Sequence, residues 1–356
     1  MRAALCYAFG EPWQVEQVDL RPAAAGEVGV RVAACAICHS DLAYSRGAWG
    51  GHLPAVYGHE VAGVVDELGE GVDGMRVGDH VVVTLIRACG RCATCLRGLP
   101  ALCERRGSLA ADERWPLRLP GGEPVHQALR TAGFAERVVV DLSQVVPVPS
   151  AIDLQAASLL GCGVLTGVGA VLTTAAVEAG SSVCVVGLGG VGLNAVQGAA
   201  LAGAGLIAGV DPMAAKREAA LELGAAVVSA PGDKAALAAT GGRGFDTVVV
   251  TAPSGPAAEA ALQLLADAGA LVLVGMPSGA RVSIDPEQVA ERGLRILGSK
   301  VGSARPQLDV ARLASLYQGG RLQLDRLITH RLPLDLINEG IEAAESGEAL
   351  KVVIVP

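Results

Sequence analysis

Four cysteines lie close together in the stretch CGRCATCLRGLPALC, residues 89–103. The sulfur atoms of Cys89, Cys92, Cys95 and Cys103 can complete a tetrahedral zinc site and leave no coordination position open. The short spacing lets one loop surround the ion, so metal binding would order a segment that has little core of its own. The sequence therefore predicts a structural zinc in a lobe at about residues 88–104.

Three other metal-binding side chains are scattered along the chain: Cys38 in CHSD, His59 in GHE and Cys162 in GCGVLTG. Three ligands from different elements leave a fourth position for water or substrate, which is typical of a catalytic zinc. Taken singly, Cys162 is more often a small buried apolar residue, and His59 is more often a hydrogen-bonded histidine. Together with a nucleotide-binding fold, they predict a second, catalytic zinc.

A phosphate-binding pattern, G-x-G-x-x-G, occupies GLGGVG at residues 187–192, after an apolar strand and at the start of a helix. Gly187 permits the tight turn, Gly189 lets the backbone approach a pyrophosphate, and Gly192 lets the helix pack on the strand. The N-terminal amides of the helix then face the phosphates. The pattern predicts a dinucleotide cofactor.

Asp211 ends the next predicted strand, in LIAGVD at residues 206–211. An acid at this point accepts hydrogen bonds from the ribose hydroxyls of NAD and repels the 2′-phosphate of NADP. The alternative is a helix cap in a glycine-rich turn. Lys216 and Arg217 follow closely, so NAD is favoured and partial use of NADP stays open.

The elements that must position these residues divide the chain. Residues 1 to about 150 contain short β-branched runs bounded by Gly, Pro and Asp, which indicate strands with long loops, and segment 104–133 lacks periodicity and is interpreted as a loop. From about 165 to 298, predicted strands alternate with helices such as 191–203, 214–225 and 256–268. This alternation predicts a parallel sheet with right-handed crossovers. The tail, 299–356, is predicted to add one helix and a final strand.

Composition excludes several classes of function. The chain of 356 residues is 51% hydrophobic and 18% charged, with a formal charge of −8, so it is expected to be globular and not to bind nucleic acid. The apolar run at the N-terminus is too short for a secretory signal, which favours a cytoplasmic protein. Nine cysteines, an odd number, are then not expected to form disulfides.

A membrane span is the competing interpretation of one region. Residues 154–177 and 179–210 carry no charged side chain, and each run exceeds the roughly 18–20 apolar residues that cross a bilayer. Against a span, glycines and polar residues interrupt the second run, and the phosphate-binding pattern lies inside it. No membrane association is predicted.

The motifs together resemble those of the zinc-dependent alcohol dehydrogenases of the medium-chain dehydrogenase/reductase superfamily. CHSD, GHE, the four-cysteine lobe, GCGVLTG, GLGGVG and GVD occur in the family's order and at its spacing, over essentially the whole chain. The resemblance implies an α/β fold: a GroES-like irregular β-barrel catalytic domain at 1–163 and 299–356, and a Rossmann doubly wound parallel-sheet domain at 164–298.

The resemblance also implies residue roles. Glu60 would be a neighbouring or exchanging ligand of the catalytic zinc, Asp41 would hold His59 in its metal-binding tautomer, and Ser40 would pass the alcohol proton to the cofactor ribose. Leu85 and Trp49 match positions that line a substrate pocket, although simple packing explains Trp49 equally well. Implied cofactor contacts are His39, Thr166, Gly190, Val191, Val274, Gly275 and Lys351.

The implied activity is NAD-linked, zinc-dependent interconversion of alcohols, primary ones favoured, with aldehydes or ketones by hydride transfer. Ala43 occupies the position of a relay histidine in the liver-type enzymes, so the proton must leave through water or another base. The loop at 121–140 resembles that of the dimeric subgroup, which implies a homodimer, with a tetramer as the alternative. A polyol dehydrogenase, a thiol-adduct formaldehyde dehydrogenase and a non-catalytic zinc-binding protein remain alternatives; a zinc-free quinone reductase would lack both cysteine sets.

Overall fold

The computed structural model describes residues 1–105 and 115–356, which form two compact units. The first unit comprises residues 1–162 and 305–356, and the second comprises residues 163–304. Within the second unit the backbone packs closely at Gly302, where an added Cβ would lie 2.1 Å from the carbonyl oxygen of Leu165.

The first part of the first unit is built from short strands and three short helices. Its strands are β1 (Arg2–Cys6), β2 (Gln14–Gln17), β3 (Asp19–Leu20), β4 (Glu27–Ala36), β5 (Ala55–Val56), β6 (Glu60–Leu68), β7 (His80–Val83), β8 (Leu117–Arg118), β9 (Pro124–Gln127), β10 (Arg137–Asp141) and β11 (Val145–Pro147). Its helices are α1 (His39–Ser45), α2 (Ala93–Leu96) and α3 (Leu154–Ser158).

The second unit alternates helix and strand. Its elements are α4 (Gly163–Gly169), β12 (Ser182–Val186), α5 (Gly190–Ala202), β13 (Leu206–Val210), α6 (Ala214–Glu222), β14 (Val227–Ser229), α7 (Ala235–Ala238), β15 (Phe245–Val250), α8 (Gly255–Leu262), β16 (Leu265–Leu273), α9 (Pro286–Glu291) and β17 (Arg295–Gly298). The six strands form one parallel sheet in the order β14-β13-β12-β15-β16-β17. This is the strand order of a doubly wound dinucleotide-binding fold, which confirms the predicted fold class.

The end of the chain returns to the first unit with α10 (Pro306–Gln318), β18 (Ile328–Pro333), α11 (Ile337–Ser346) and β19 (Lys351–Val355). β19 pairs with β4, which extends the sheet β11-β7-β6-β4-β19-β18, and β10 pairs with the same strand β4. A second sheet has the order β2-β1-β5-β9-β8-β3. The end of β4 therefore lies between β6 and β19, a position that matters for the site.

Three predicted elements differ from the structure. The helix predicted to reach residue 268 ends at Leu262, because residues from Leu265 onward pair with β15 across a register shift. The segment predicted as loop, 104–133, contains β8 and β9, and its residues 106–114 lie outside the described part. The tail contains two helices and two strands, not one of each.

No single helix within the described residues is long and apolar enough to cross a membrane. Leu154–Gly161 and Gly163–Ala175 meet that test only when taken together, by length and composition, across a break in the helix.

Candidate active site

Four buried side chains from separate parts of the first unit meet in one place. One ligand atom each from Cys38, His59, Glu60 and Cys162 lies within 4.8 Å of the others, and we call these residues the donor set. His59 and Glu60 have no exposed surface, and the two cysteines are less than a tenth exposed. Residues that are 124 positions apart in the sequence (162 − 38) thus form a compact cluster of two sulfur, one imidazole and one carboxylate donor.

The local backbone conformation positions the side chains of the donor set. Cys38 is the N-cap of α1, and its backbone N–H donates to the Asp41 carboxylate one turn later, at 3.0 Å. Gly58, directly before His59, has a φ of +98°, and a Cβ there would lie 2.6 Å from the backbone nitrogen of Phe134. A glycine is therefore required for the turn that presents His59. Cys162 follows directly after the short helix Leu159–Gly161.

Asp41 fixes the orientation of His59. Its fully buried carboxylate accepts hydrogen bonds from His59 Nδ1 at 2.9 Å, from the backbone N–H of Gly58 at 2.9 Å and from that of Cys38. A proton on Nδ1 leaves the lone pair on Nε2, which is buried and has no hydrogen-bond partner. An orphaned imidazole nitrogen beside two thiols is what a zinc ion would satisfy, so the donor set fits a zinc site.

The electrostatics of the two thiols favour one thiolate. The hydrogen bond from the Cys162 thiol, followed by the nearby His59 imidazole, lowers the pKa of Cys38 well below its usual value. The same hydrogen bond and burial raise the pKa of Cys162 well above its usual value. Cys38 is therefore the readily ionised member of a pair that shares a proton, and thiolate is the form that binds metal.

Lys351 lies beside the donor set. Its side chain is 6% exposed, and Nζ donates to Glu60 Oε2 at 2.6 Å and to the carbonyl oxygen of Ile37 at 3.2 Å. Burial raises the pKa of Glu60 to about 8, against the opposing effect of Lys351. Lys351 is therefore paired with a member of the donor set, and its contact with a cofactor stays a prediction.

The cysteine lobe (residues 88–104) forms a separate cluster. The sulfur atoms of Cys89, Cys92, Cys95 and Cys103 lie within 4.8 Å of one another, and only Cys103 is buried. The backbone N–H of Cys89 donates to Cys103 Sγ at 3.4 Å, and that of Glu104 donates to Cys92 Sγ at 3.5 Å. These geometries place four sulfurs around a common centre.

The lobe also has its own supporting contacts. The hydrogen bond between the Thr94 hydroxyl and Cys92 Sγ, at 3.2 Å, is the first cause that lowers the pKa of Cys92 to about 5. Glu104 accepts from the backbone N–H of Thr94, and the Thr94 hydroxyl donates to the carbonyl oxygen of Leu102. At its base, the N–H of Ala88 donates to the Ser143 hydroxyl. The thiolate form is therefore favoured at Cys92, whereas burial and the hydrogen bond with Cys92 raise the pKa of Cys95 to about 12.

In the second unit, the glycine loop has the geometry expected of a phosphate-binding turn. Gly187 has a φ of +91°, and a Cβ on Gly192 would lie 1.8 Å from the carbonyl oxygen of Gly187. A Cβ on Gly189, the N-cap of α5, would meet no described atom within 4 Å. The space at Gly189 is thus open, and α5 begins there with free N-terminal amides.

Asp211 is buried at the end of β13 beside this loop. Its Oδ2 accepts from the backbone N–H of Leu188 at 2.7 Å, and Oδ1 accepts from that of Met213 at 2.9 Å. Arg217 Nη1 donates to the backbone carbonyls of Asp211 and Pro212. The acid is therefore tied to the loop backbone and to the turn before α6, but the N-cap of α6 is Met213, so Asp211 is not the helix cap of the alternative interpretation.

The remaining predicted residues are placed as follows. Ser40 is half-buried on α1, His39 is exposed beside it, Leu85 is half-buried after β7, and Trp49 packs edge-on against Tyr44, with ring centroids 4.9 Å apart. In the second unit Thr166 is buried on α4, and Gly190, Val191, Lys216 and Val274 are half-buried. The N–H groups of Val274 and Gly275 both donate to the carbonyl oxygen of Val250.

Sequence reasoning missed one cluster of aromatic rings. The rings of His52, Trp115 and His126 contact one another at tilted or edge-on angles, with centroids 4.7–5.6 Å apart. Burial, followed by the charge of His52, lowers the pKa of His126 to about 4. The pairing of Ala55 in β5 with His126 in β9 creates this contact. Residues so distant in sequence gave no signal before that pairing was known.

Comparisons with known proteins agree with this geometry. Residues 24–150 match the alcohol dehydrogenase GroES-like domain, and residues 190–318 match the zinc-binding dehydrogenase family. An NDMA-dependent alcohol dehydrogenase of Amycolatopsis methanolica is 36% identical, over 99% of this chain and 98% of that protein.

Solved structures extend the likeness to the whole fold. An alcohol dehydrogenase zinc-binding domain protein from Burkholderia ambifaria is 35% identical, over 100% of this chain and 98% of the other, with a TM-score of 0.95. The benzyl alcohol dehydrogenase of Acinetobacter calcoaceticus is 29% identical, over 99% and 98%, with a TM-score of 0.93.

Proposed function

Since the chain belongs to the zinc-dependent alcohol dehydrogenases of the medium-chain dehydrogenase/reductase superfamily, we propose that it oxidises primary alcohols with NAD and holds two zinc ions per chain. The observation that carries this proposal is the buried donor set, in which Asp41 orients His59 and leaves Nε2 without a partner. The alternative of a non-catalytic zinc-binding protein does not account for that arrangement.

Cys38, His59 and Cys162 would hold the catalytic zinc, which, when bound, acts as a Lewis acid that lowers the pKa of an alcohol hydroxyl. Asp41 keeps His59 oriented through its hydrogen bond to Nδ1. Burial excludes water from the donors, which strengthens every charge interaction at the site. In this assignment Ser40 accepts the proton of the alcohol, and Trp49 and Leu85 line the substrate pocket.

The nicotinamide cofactor would lie with its pyrophosphate at Gly189 and the start of α5, where backbone amides face the open space. When bound, the cofactor supplies the hydride acceptor. Asp211 would bind the adenosine ribose and disfavour NADP. The contacts of Thr166, Val191, Val274 and Gly275 with the nicotinamide half are part of the same proposal, as is a homodimeric assembly.

The test is a spectrophotometric assay of the purified protein with NAD and, separately, NADP. The panel would contain primary, secondary, aromatic and polyol substrates and a thiol adduct of formaldehyde. We expect the highest kcat/KM with a primary alcohol and NAD, and a shift toward NADP in Asp211→Gly. A polyol or a thiol adduct as the best substrate would contradict the substrate assignment.

A second acceptor belongs in the same assay because one relative is named NDMA-dependent. If this chain turns over an alcohol only when NDMA is present, the proposal of ordinary NAD-linked turnover fails, whereas the alcohol substrate class stands. Light scattering after size exclusion would test the dimer.

A further inference from the structure

A buried ion pair reaches the donor set from a strand at the end of the chain. Glu60 is the first residue of β6 and Lys351 is the first residue of β19. Both strands flank the end of β4, where Ala36 pairs with Glu60 and the N–H of Ile37 donates to the carbonyl oxygen of Val352. The two strands therefore bring the Lys351 ammonium and the Glu60 carboxylate together beside the two residues that precede Cys38.

The Glu60 carboxylate lies between the ammonium of Lys351 and the other ligand atoms of the donor set. One of its carboxylate oxygens is within 4.8 Å of the sulfur and nitrogen donors, while Oε2 accepts a 2.6 Å hydrogen bond from Lys351. Both side chains are at least nine-tenths buried. A buried carboxylate that loses the cation paired with it is costly, and it will be drawn to the nearest remaining cation.

In a loaded site, that remaining cation is the zinc. We propose that Lys351 is a positioning residue: its ammonium holds the Glu60 carboxylate away from full coordination, so that Cys38, His59 and Cys162 hold the zinc and the fourth position stays available to substrate. The proposal rests on the assignment of the donor set as the zinc site. It is an alternative to the cofactor contact that the sequence predicted for Lys351.

Cobalt substitution gives a readout of this role that does not depend on turnover. Cobalt(II) absorbs visible light weakly when an added carboxylate raises its coordination number, and strongly when it is tetrahedral. The cobalt protein would be compared as wild type, Lys351→Arg, Lys351→Met, Glu60→Gln and the Lys351→Met/Glu60→Gln double variant. A Cys38→Ser protein supplies the absorption of the cysteine lobe for subtraction, and Lys234→Met, at an exposed lysine, is the matched control.

We expect Lys351→Met to shift its visible bands, because the Glu60 carboxylate then takes the fourth position in place of water; a loss of absorption would follow if the carboxylate instead added a fifth ligand. Lys351→Arg, which keeps the charge, should resemble wild type, and the double variant should resemble Glu60→Gln. With zinc, Lys351→Met should lose about 10–100-fold in kcat, as is usual when an outer partner of a metal ligand is removed. Lys234→Met should change neither quantity.

The proposal is overturned if cobalt-loaded Lys351→Met has the wild-type spectrum, or if its only defect is weaker NADH binding in a fluorescence titration. The second result would restore the cofactor contact. If Lys351→Met does not fold, Lys351→Gln carries the test, because it removes the charge but keeps a hydrogen-bond donor for Glu60. Failure of the proposed function is separate: a spectrum that responds in a protein without alcohol turnover would leave this inference intact.

Discussion

The donor set and the cysteine lobe bring their candidate metal ligands together in opposite ways. In the lobe, four sulfurs come from one short stretch, three of them partly exposed, and hydrogen bonds from Thr94 and Glu104 support them locally. In the donor set, ligands from distant parts of the chain meet in the core, and the supporting groups Asp41 and Lys351 are buried as well. This difference supports our proposal that the lobe, with four ligands in place, holds a structural metal, whereas the donor set holds a catalytic one with a position open for substrate.

The residues that hydrogen-bond to the ligands should matter more for zinc affinity and turnover in the donor set than in the lobe. Asp41→Asn replaces a buried carboxylate that accepts three hydrogen bonds, and it removes the group that sets the His59 tautomer. We expect zinc affinity at the donor set and kcat/KM to fall about 10–100-fold. Competition with a chelator and steady-state kinetics measure both.

The matched control for Asp41→Asn is Glu104→Gln, an exposed carboxylate that accepts from the Thr94 N–H in the lobe. It should change either quantity less than about twofold, as most surface substitutions do. Equal losses in the two variants would mean that the buried shell has no special role.

Loss of one lobe ligand should affect stability more than chemistry. Cys103→Ser removes the buried sulfur of the lobe. We expect the free energy of unfolding to fall by about 2 kcal/mol and Tm by about 4 °C, with faster proteolysis near residues 88–104 and largely retained turnover per folded molecule. Calorimetry and limited proteolysis check this. Lost turnover at an unchanged Tm would instead place chemistry in the lobe.

The third region with histidines, His52 with Trp115 and His126, sharpens the comparison because its imidazoles pack on aromatic rings rather than around a shared centre. Burial depresses the pKa of His126 to about 4 in the folded chain. The unfolded chain therefore binds more protons between about pH 6.5 and 4, and stability should fall as pH drops through that window, by at most about 2 kcal/mol.

His126→Gln should flatten that pH dependence, measured by urea unfolding followed by tryptophan fluorescence at several pH values. The effect is the smallest of those considered, since the ring is only partly buried. A dependence on pH identical to that of the wild type would remove His126 as its origin.

The sequence predicted those parts of the fold that depend on local patterns. The alternation of apolar strands and helices from about residue 165 to 298 predicted the parallel sheet, which the structure confirms. The lobe was recognisable because its cysteines are near neighbours. The helix predicted at residues 256–268 was wrong at its end, because pairing with β15 overrides helix propensity from Leu265 onward.

Partners that meet only after the sheet closes were not predictable. Lys351 reaches Glu60 because β19 and β6 both flank β4, a pairing across nearly 300 residues that no local pattern encodes. The edge-to-face contact of His52 with His126 depends in the same way on the pairing of β5 with β9. The candidate ligands could be predicted from residue type and Asp41 from the family resemblance, whereas the contact of Lys351 with Glu60 needed the tertiary structure.

The central claim is that the donor set holds a catalytic zinc and the lobe a structural one. Its most direct test is zinc content measured together with turnover in a Cys38→Ser/Cys162→Ser double variant. We predict about two zinc ions per wild-type chain and about one in the folded variant, with kcat/KM reduced at least about 1,000-fold, since Lewis-acid stabilisation is worth several kcal/mol. A folded variant that still holds two zinc ions, or that turns over alcohol at the wild-type rate, would contradict the assignment of the dispersed residues as the catalytic centre.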